Sequence, residues 1–318
     1  MKVARINEKK ITTYIVGGNS THAENKPKKT APLPQSNKVK GKLSKKARTR
    51  LVKAITHIVE IYSHRKKQAK KQGKKYEQEI TFITLTLCAT QKHTDYHIRR
   101  YMLIPFLSYL LKEEGVTVYV WRAEPQENGN IHFHILANKN ICWRKIRSKW
   151  NSLQRKEGYI ADYKAKFSSM NEDQYIRYRG GEEEQEVKDI KKAYKYGLAS
   201  NWEDPNSSDI HQTGKLKNTI AYMAKYMGKS STEQTREIEG HLWGKCEVIE
   251  EMKVLEVALD NKLISFIDKI KENKDNFFKE DLYFSFYWLK NADYNSYPKH
   301  IREAYIQTQE YNYSLIGS

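Results

Sequence analysis

The sequence predicts an α+β fold, and three observations carry the prediction. The run "EITFITLTLCA" at 79–89 alternates β-branched and aromatic residues with others, as a strand does. A helical pattern follows over 95–115, with Thr94 as its N-cap and Gly115 at its end. Two alternating runs, "VTVYVWRAE" and "IHFHILAN", then flank the turn residues "PQENGN" and predict a β-hairpin, after which Trp143, Ile146, Trp150 and Leu153 mark a second helix. Strand, helix, strand, strand, helix is the order of a sheet carrying helices on one face.

The rest of the chain is organised around that body. Residues 1–75 hold 22 Lys or Arg against only Glu8, Glu24 and Glu60, so the net charge of +19 sits entirely in the first quarter, and the remaining 35 basic and 35 acidic residues cancel. Residues 15–42 mix Gly, Pro, Ser, Asn and Lys without periodicity, and 1–42 is therefore expected to be a basic disordered tail. Over 43–75 the pattern becomes helical: Leu43, Ala47, Leu51, Ala54, Ile55, Ile58 and Tyr62 recur on one stripe, Ser44 stands near the start, and Lys and Arg fill the other face. A neutral body with one cationic arm suits a polyanion such as nucleic acid.

The body spans 76–246, with an expected insertion at 170–205, and a mostly helical, aromatic C-terminal extension fills 247–318. The longest apolar run, "MLIPFLSYLL", is half the ~20 residues of a membrane span and is interrupted by Pro105. No apolar segment follows "MKVARINEKK" as a secretory signal requires. Cys88, Cys142 and Cys246 lie too far apart for a zinc ribbon or a disulfide framework. These features predict a cytoplasmic protein without a membrane partner.

Two constellations carry chemistry. In "NIHFHIL", His132 and His134 point to one face of a strand and Phe133 and Ile135 to the other. A turn of Asn128, Gly129 and Asn130 sets Gln126 opposite His132 and Glu124 opposite His134, gathering two imidazoles, a carboxylate and an amide in the composition of an open metal site. A two-residue Asn-Gly turn instead sets Glu124 across from Phe133, on the wrong face. The sequence permits both. In "NTIAYMAKYMGK", Asn218 to Lys229, helical spacing puts Ile220, Met223, Ala224 and Met227 on one stripe and Tyr222, Lys225, Tyr226 and Lys229 on the opposite one. That is either an amphipathic helix covering a core, or a pair of phenols made nucleophilic by adjacent ammonium groups.

"FITLTL" (82–87), "HFH" (132–134) and "YMAKYMGK" (222–229) stand in the order and approximate spacing of the three motifs of HUH endonucleases. The chain resembles rolling-circle replication initiators of the two-tyrosine phage and plasmid type over about 78–246. The resemblance implies a five-stranded antiparallel sheet with flanking helices, histidines on its central strands and the tyrosine helix across the metal. It implies that His132, His134 and Glu124 hold Mg²⁺ or Mn²⁺, imidazole slightly favouring Mn²⁺ and abundance Mg²⁺. Tyr222 or Tyr226 then attacks single-stranded origin DNA, leaving a 5′-phosphotyrosine and a free 3′-hydroxyl primer, with Lys225 and Lys229 supplying positive charge.

Asp209 and His211 are further polar candidates near the tyrosines, with a plain strand-end role as the alternative. No Walker motif is present, so helicase and polymerase are expected from the host, in trans. A two-tyrosine transposase is the closest enzymatic alternative, but the cysteine-rich zinc module usual in such proteins is not visible. A conjugative relaxase disagrees with the motif order. A basic nucleic-acid-binding protein with fortuitous motifs is the non-enzymatic alternative.

Overall fold

In the computed structural model of the protein, the described residues are 2–7, 10–15, 40–41, 43–76, 80–181, 183–212, 236–273, 277–280, 284–288 and 296–316. The first described elements are β1 (Lys2–Asn7), β2 (Lys10–Ile15), β3 (Lys40–Gly41) and α1 (Lys45–Lys71). The body follows with β4 (Thr81–Leu85), α2 (Asp95–Ile98), α3 (Ile104–Lys112), β5 (Tyr119–Pro125) and β6 (Ile131–Ala137). Next come α4 (Trp143–Lys156), α5 (Tyr159–Ser168), α6 (Glu172–Arg179), α7 (Glu184–Ala199), β7 (Ser208–Gln212), β8 (Ile238–Glu239) and β9 (Trp243–Lys245). The chain closes with α8 (Val248–Glu251), β10 (Leu255–Ala258), α9 (Asn261–Glu272), β11 (Phe277–Glu280), β12 (Phe284–Trp288) and α10 (Lys299–Ser314). These elements form two compact units, and α1 contributes to both, up to Ile55 in one and from Thr56 in the other.

The unit that carries the predicted body is an antiparallel five-stranded sheet in the order β7-β4-β6-β5-β9, flanked by helices, as the sequence predicts. Period-two alternation decides its two faces. Ile83, Leu85, Trp121, Phe133 and Ile135 project to one side and pack with Met102, Phe106, Leu110, Ile146 and Trp150 in a single core. Trp150 meets Phe106 and Phe133 edge-on, at ring-centroid distances of 5.9 and 6.3 Å. Each such fully buried apolar side chain stabilises the fold by about 1.5–3 kcal/mol.

The single helix expected over 95–115 is interrupted. Thr94 does cap it, its side chain accepting from the His97 amide at 3.2 Å, but Arg99–Leu103 form a π-helical turn before α3 begins. Pro105 is the physical reason: its ring has no N–H and would clash with the carbonyl four residues earlier, and one wider turn removes the clash.

Asp95, at the start of this helix, is buried and takes both guanidinium nitrogens Nη1 and Nη2 of Arg236 at 2.7 Å. It also accepts from the Gln91 side chain and the Glu239 amide. Burial opposes the charge on Asp95, but these donors, led by Arg236, hold its carboxyl below the usual range. Arg236 Nε donates in addition to Gly129 O at 2.6 Å, which ties the chain to the hairpin turn. Asp95→Ala orphans all three donors and is expected to destabilise this unit by about 3 kcal/mol, with Asp95→Asn costing less. Urea unfolding followed by tryptophan fluorescence checks it; a loss below about 1 kcal/mol contradicts the clamp.

The expected insertion at 170–205 contains α6 and α7 around a small aromatic cluster of Phe167, Tyr175 and Trp202. Gly197 is required here, since a Cβ would lie 2.3 Å from the Trp202 ring.

The second unit corrects two expectations. Residues 2–7 and 10–15 are not part of a disordered tail: β1 and β2 are inner strands of a sheet ordered β10-β1-β2-β12-β11. In "KVARIN", Ala4 and Ile6 are buried while Arg5 pairs with Glu256, so basic residues alternate with apolar ones on a strand. Counted as charge, that pattern reads as tail. The C-terminal extension, expected to be mostly helical, also supplies β10, β11 and β12, and its helices α9 and α10 pack Leu263, Ile267, Ile301 and Tyr305 with Ile6 and Ile11. "KVLEVAL" fits a helical stripe and a strand about equally, and pairing with β1 decides it. The helix expected over 43–75 runs from Lys45 to Lys71, with the Ser44 side chain accepting from the Ala47 amide at 3.2 Å. No described helix is long and apolar enough to cross a membrane.

Candidate metal centre

The face of the first sheet opposite its helical core carries the site. β6 lies between β4 and β5, so His132 and His134 stand on the middle strand of five. Across β5 the register sets Glu124 opposite His132 and Arg122 opposite His134; across β4, Thr84 faces His134, and Asp209 of β7 faces Thr84. Neither turn considered from the sequence occurs. Five residues, Gln126 to Asn130, connect the strands, and the Gln126 amide donates to Asn130 O at 2.8 Å. Glu124 keeps the parity of the histidines and so shares their face, while Gln126 falls in the connection beyond the paired strands.

The donor atoms converge. His132 Nε2 and His134 Nε2 lie 3.0 and 2.8 Å from the same oxygen, Glu124 Oε1. One potential ligand atom from each of the three residues lies within 4.8 Å of the others. Thr84 Oγ1 hydrogen-bonds Nδ1 of His134 at 3.0 Å, and the Phe82 ring stacks on His134 at 5.2 Å, so the imidazole is oriented from both sides. His132 Nδ1 is buried and has no hydrogen-bond partner among the described residues.

The electrostatics suit a cation. Burial alone would raise the Glu124 carboxyl, but hydrogen bonds from His132 and His134 and the charge of Arg122, whose Nη2 is 3.4 Å away, hold it well below the usual carboxylate range. Burial pushes His134 below its ordinary value despite Glu124. At neutral pH the centre therefore holds an ionised carboxylate beside a neutral imidazole, the protonation states that ligate a metal. Two imidazoles and one carboxylate with positions left open fit Mn²⁺ or Mg²⁺.

The structure brings together Glu124, His132 and His134 of the residues singled out from sequence. Asp209 is on the same sheet face, two strands from His134. His211 pairs through its backbone with Phe82, and its side chain is not among those described. Tyr222, Lys225, Tyr226 and Lys229 lie outside the described residues. Thr84 and Arg122 are site residues that the sequence reading passed over. Their signal was parity: both hold strand positions in register with His134.

Residues 80–231 match the family model of the replication-associated protein ORF2 and gene II protein type. The match takes in Thr84, Glu124, His132 and His134 as well as the Tyr222–Lys229 segment, and it supports a replication initiator for this part of the chain. No curated protein and no solved structure matches the chain.

Proposed function

We propose that this replication-associated chain nicks single-stranded DNA at a rolling-circle origin by tyrosine transesterification, as a two-tyrosine HUH endonuclease. The observation that carries the reading is the convergence of His132 Nε2 and His134 Nε2 on Glu124 Oε1, on the central strands of an antiparallel sheet.

Glu124, His132 and His134 would hold the divalent ion, which when bound supplies Lewis-acid polarisation of the scissile phosphate. Thr84 and Phe82 keep the His134 ring in position, and Arg122 balances the charge of Glu124. Tyr222 or Tyr226 is the nucleophile. Its oxygen bonds to phosphorus, the bond to the 3′-oxygen breaks, and the strand is left with a 3′-hydroxyl while its 5′-phosphate stays on the tyrosine. Lys225 and Lys229 lower the cost of the phenolate. A second phenol permits a second transfer without release of the first product. Single-stranded origin DNA is the substrate, duplex DNA the surrounding partner, and helicase and polymerase come from the host.

The test uses purified protein and single-stranded oligonucleotides tiled across the DNA flanking its own gene, with Mn²⁺ or Mg²⁺ present. The expected result is a covalent protein–DNA adduct together with a polymerase-extendable 3′ end, both absent with chelator. DNA binding without adduct in either metal would leave a binding protein and sink the nuclease.

A further inference from the structure

A second cluster of metal-ligating side chains lies on the helical side of the same sheet. His93 precedes the N-cap of α2, and His97 follows within its first turn, a His-x-x-x-His spacing. Glu157 is the C-terminal cap of α4, from the corner where α4 turns into α5. The two imidazole rings stack at 4.3 Å with only 12° between their planes. His97 Nε2 lies 2.6 Å from Glu157 Oε2, and one potential ligand atom from each of the three residues lies within 4.8 Å of the others.

The surroundings orient this group. Tyr159 belongs to the helical core, and its hydroxyl holds His93 twice, by the backbone amide at 3.3 Å and by ring Nδ1 at 3.1 Å. Gly158 takes a left-handed φ of 79°, which lets Glu157 and Tyr159 flank the corner and both reach the loop of His93. An ion pair between His97 and Glu157 needs neither the second imidazole nor its parallel stack. The side chains of His97 and Glu157 are 32% and 20% exposed, so an ion and its water have access.

We propose that His93, His97 and Glu157 form a structural zinc-class site. Two imidazoles and one carboxylate in a tetrahedral set leave the fourth position to water. The ion staples the loop after β4 to the α4–α5 corner. That loop also carries Gln91, whose side chain accepts from the Ile131 amide at 2.7 Å at the start of the histidine strand, so the staple stiffens the frame behind β6. The site is independent of the Glu124 centre and of the nuclease reading.

The test is made in the full chain with His132→Ala and His134→Ala, so that the count no longer depends on Glu124. After chelation, loading with Zn²⁺ and removal of free ion, mass spectrometry should find one zinc per chain. Adding His97→Ala or Glu157→Gln should remove it, with far-ultraviolet circular dichroism unchanged; the isosteric Glu157→Gln covers a fold failure of the alanine variant. Co²⁺ in place of Zn²⁺ should give the visible absorption of a tetrahedral site in the parent. No retained zinc and no such absorption in the parent, or zinc persisting after Glu157→Gln, overturns the proposal.

Discussion

Replacing Tyr222 and Tyr226 together by phenylalanine is expected to abolish covalent adduct formation. Phenylalanine keeps the ring and so the apolar packing of the segment, but it removes the only atom able to displace the 3′-oxygen. Each single variant should still nick, because two phenols four residues apart on a helical stripe are one turn from each other. Strand transfer that needs two successive attacks should fail in both single variants. Mass spectrometry of the trapped adduct identifies the tyrosine that carries the phosphate. If every adduct maps to one residue and the other variant behaves as wild type, the two-tyrosine mechanism fails while a one-tyrosine nuclease survives.

His132→Ala with His134→Ala is expected to reduce cleavage to the level of the chelator control. Binding of origin duplex should persist, since phosphate contacts position the DNA and do not depend on the centre. A graded companion is Thr84→Val, which removes the hydroxyl that orients His134 at 3.0 Å. It should weaken Mn²⁺ affinity by about 10–100-fold and be partly rescued by raising the metal concentration. Cleavage by the double variant in chelated buffer would remove the metal assignment altogether.

How far the site was legible in the sequence depends on which physical rule each residue obeys. His132 and His134 were legible because alternation on a strand is fixed by backbone geometry. Glu124 was legible as a member of their face, but its register was not, because connection length decides register and "PQENGN" is compatible with several turns. The observed pairing puts Glu124 opposite His132, and its side chain still reaches both rings. Thr84 and Arg122 were passed over since neither residue type is rare. Arg122, wholly buried, gains its meaning only from its place beside Glu124.

The fold shows the same division. Long periodic segments such as α1 and α4 could be read from apolar spacing, whereas the break at Arg99–Leu103 required the tertiary consequence of Pro105. The N-terminal hairpin was obscured by its lysines and arginines. Charge counting treats Arg5 as part of an arm, but on β1 it is the polar side of a strand with Ala4 and Ile6 beneath.

The interleaving of the second unit sets an order of events during synthesis. β1 and β2 leave the ribosome first, yet their outer partners β10 and β12 are the products of residues 255–258 and 284–288. The sheet that carries the histidines needs nothing beyond β9, so it can close while the opening hairpin still waits with both hydrogen-bonding edges uncovered. A ribosome that pauses, or a message cut, between codons 246 and 284 would therefore release a chain with a finished histidine sheet and a sticky N-terminus. Pulse-labelled nascent chains of that length should be the ones captured by chaperones, and the hairpin, not the metal centre, should be what they hold.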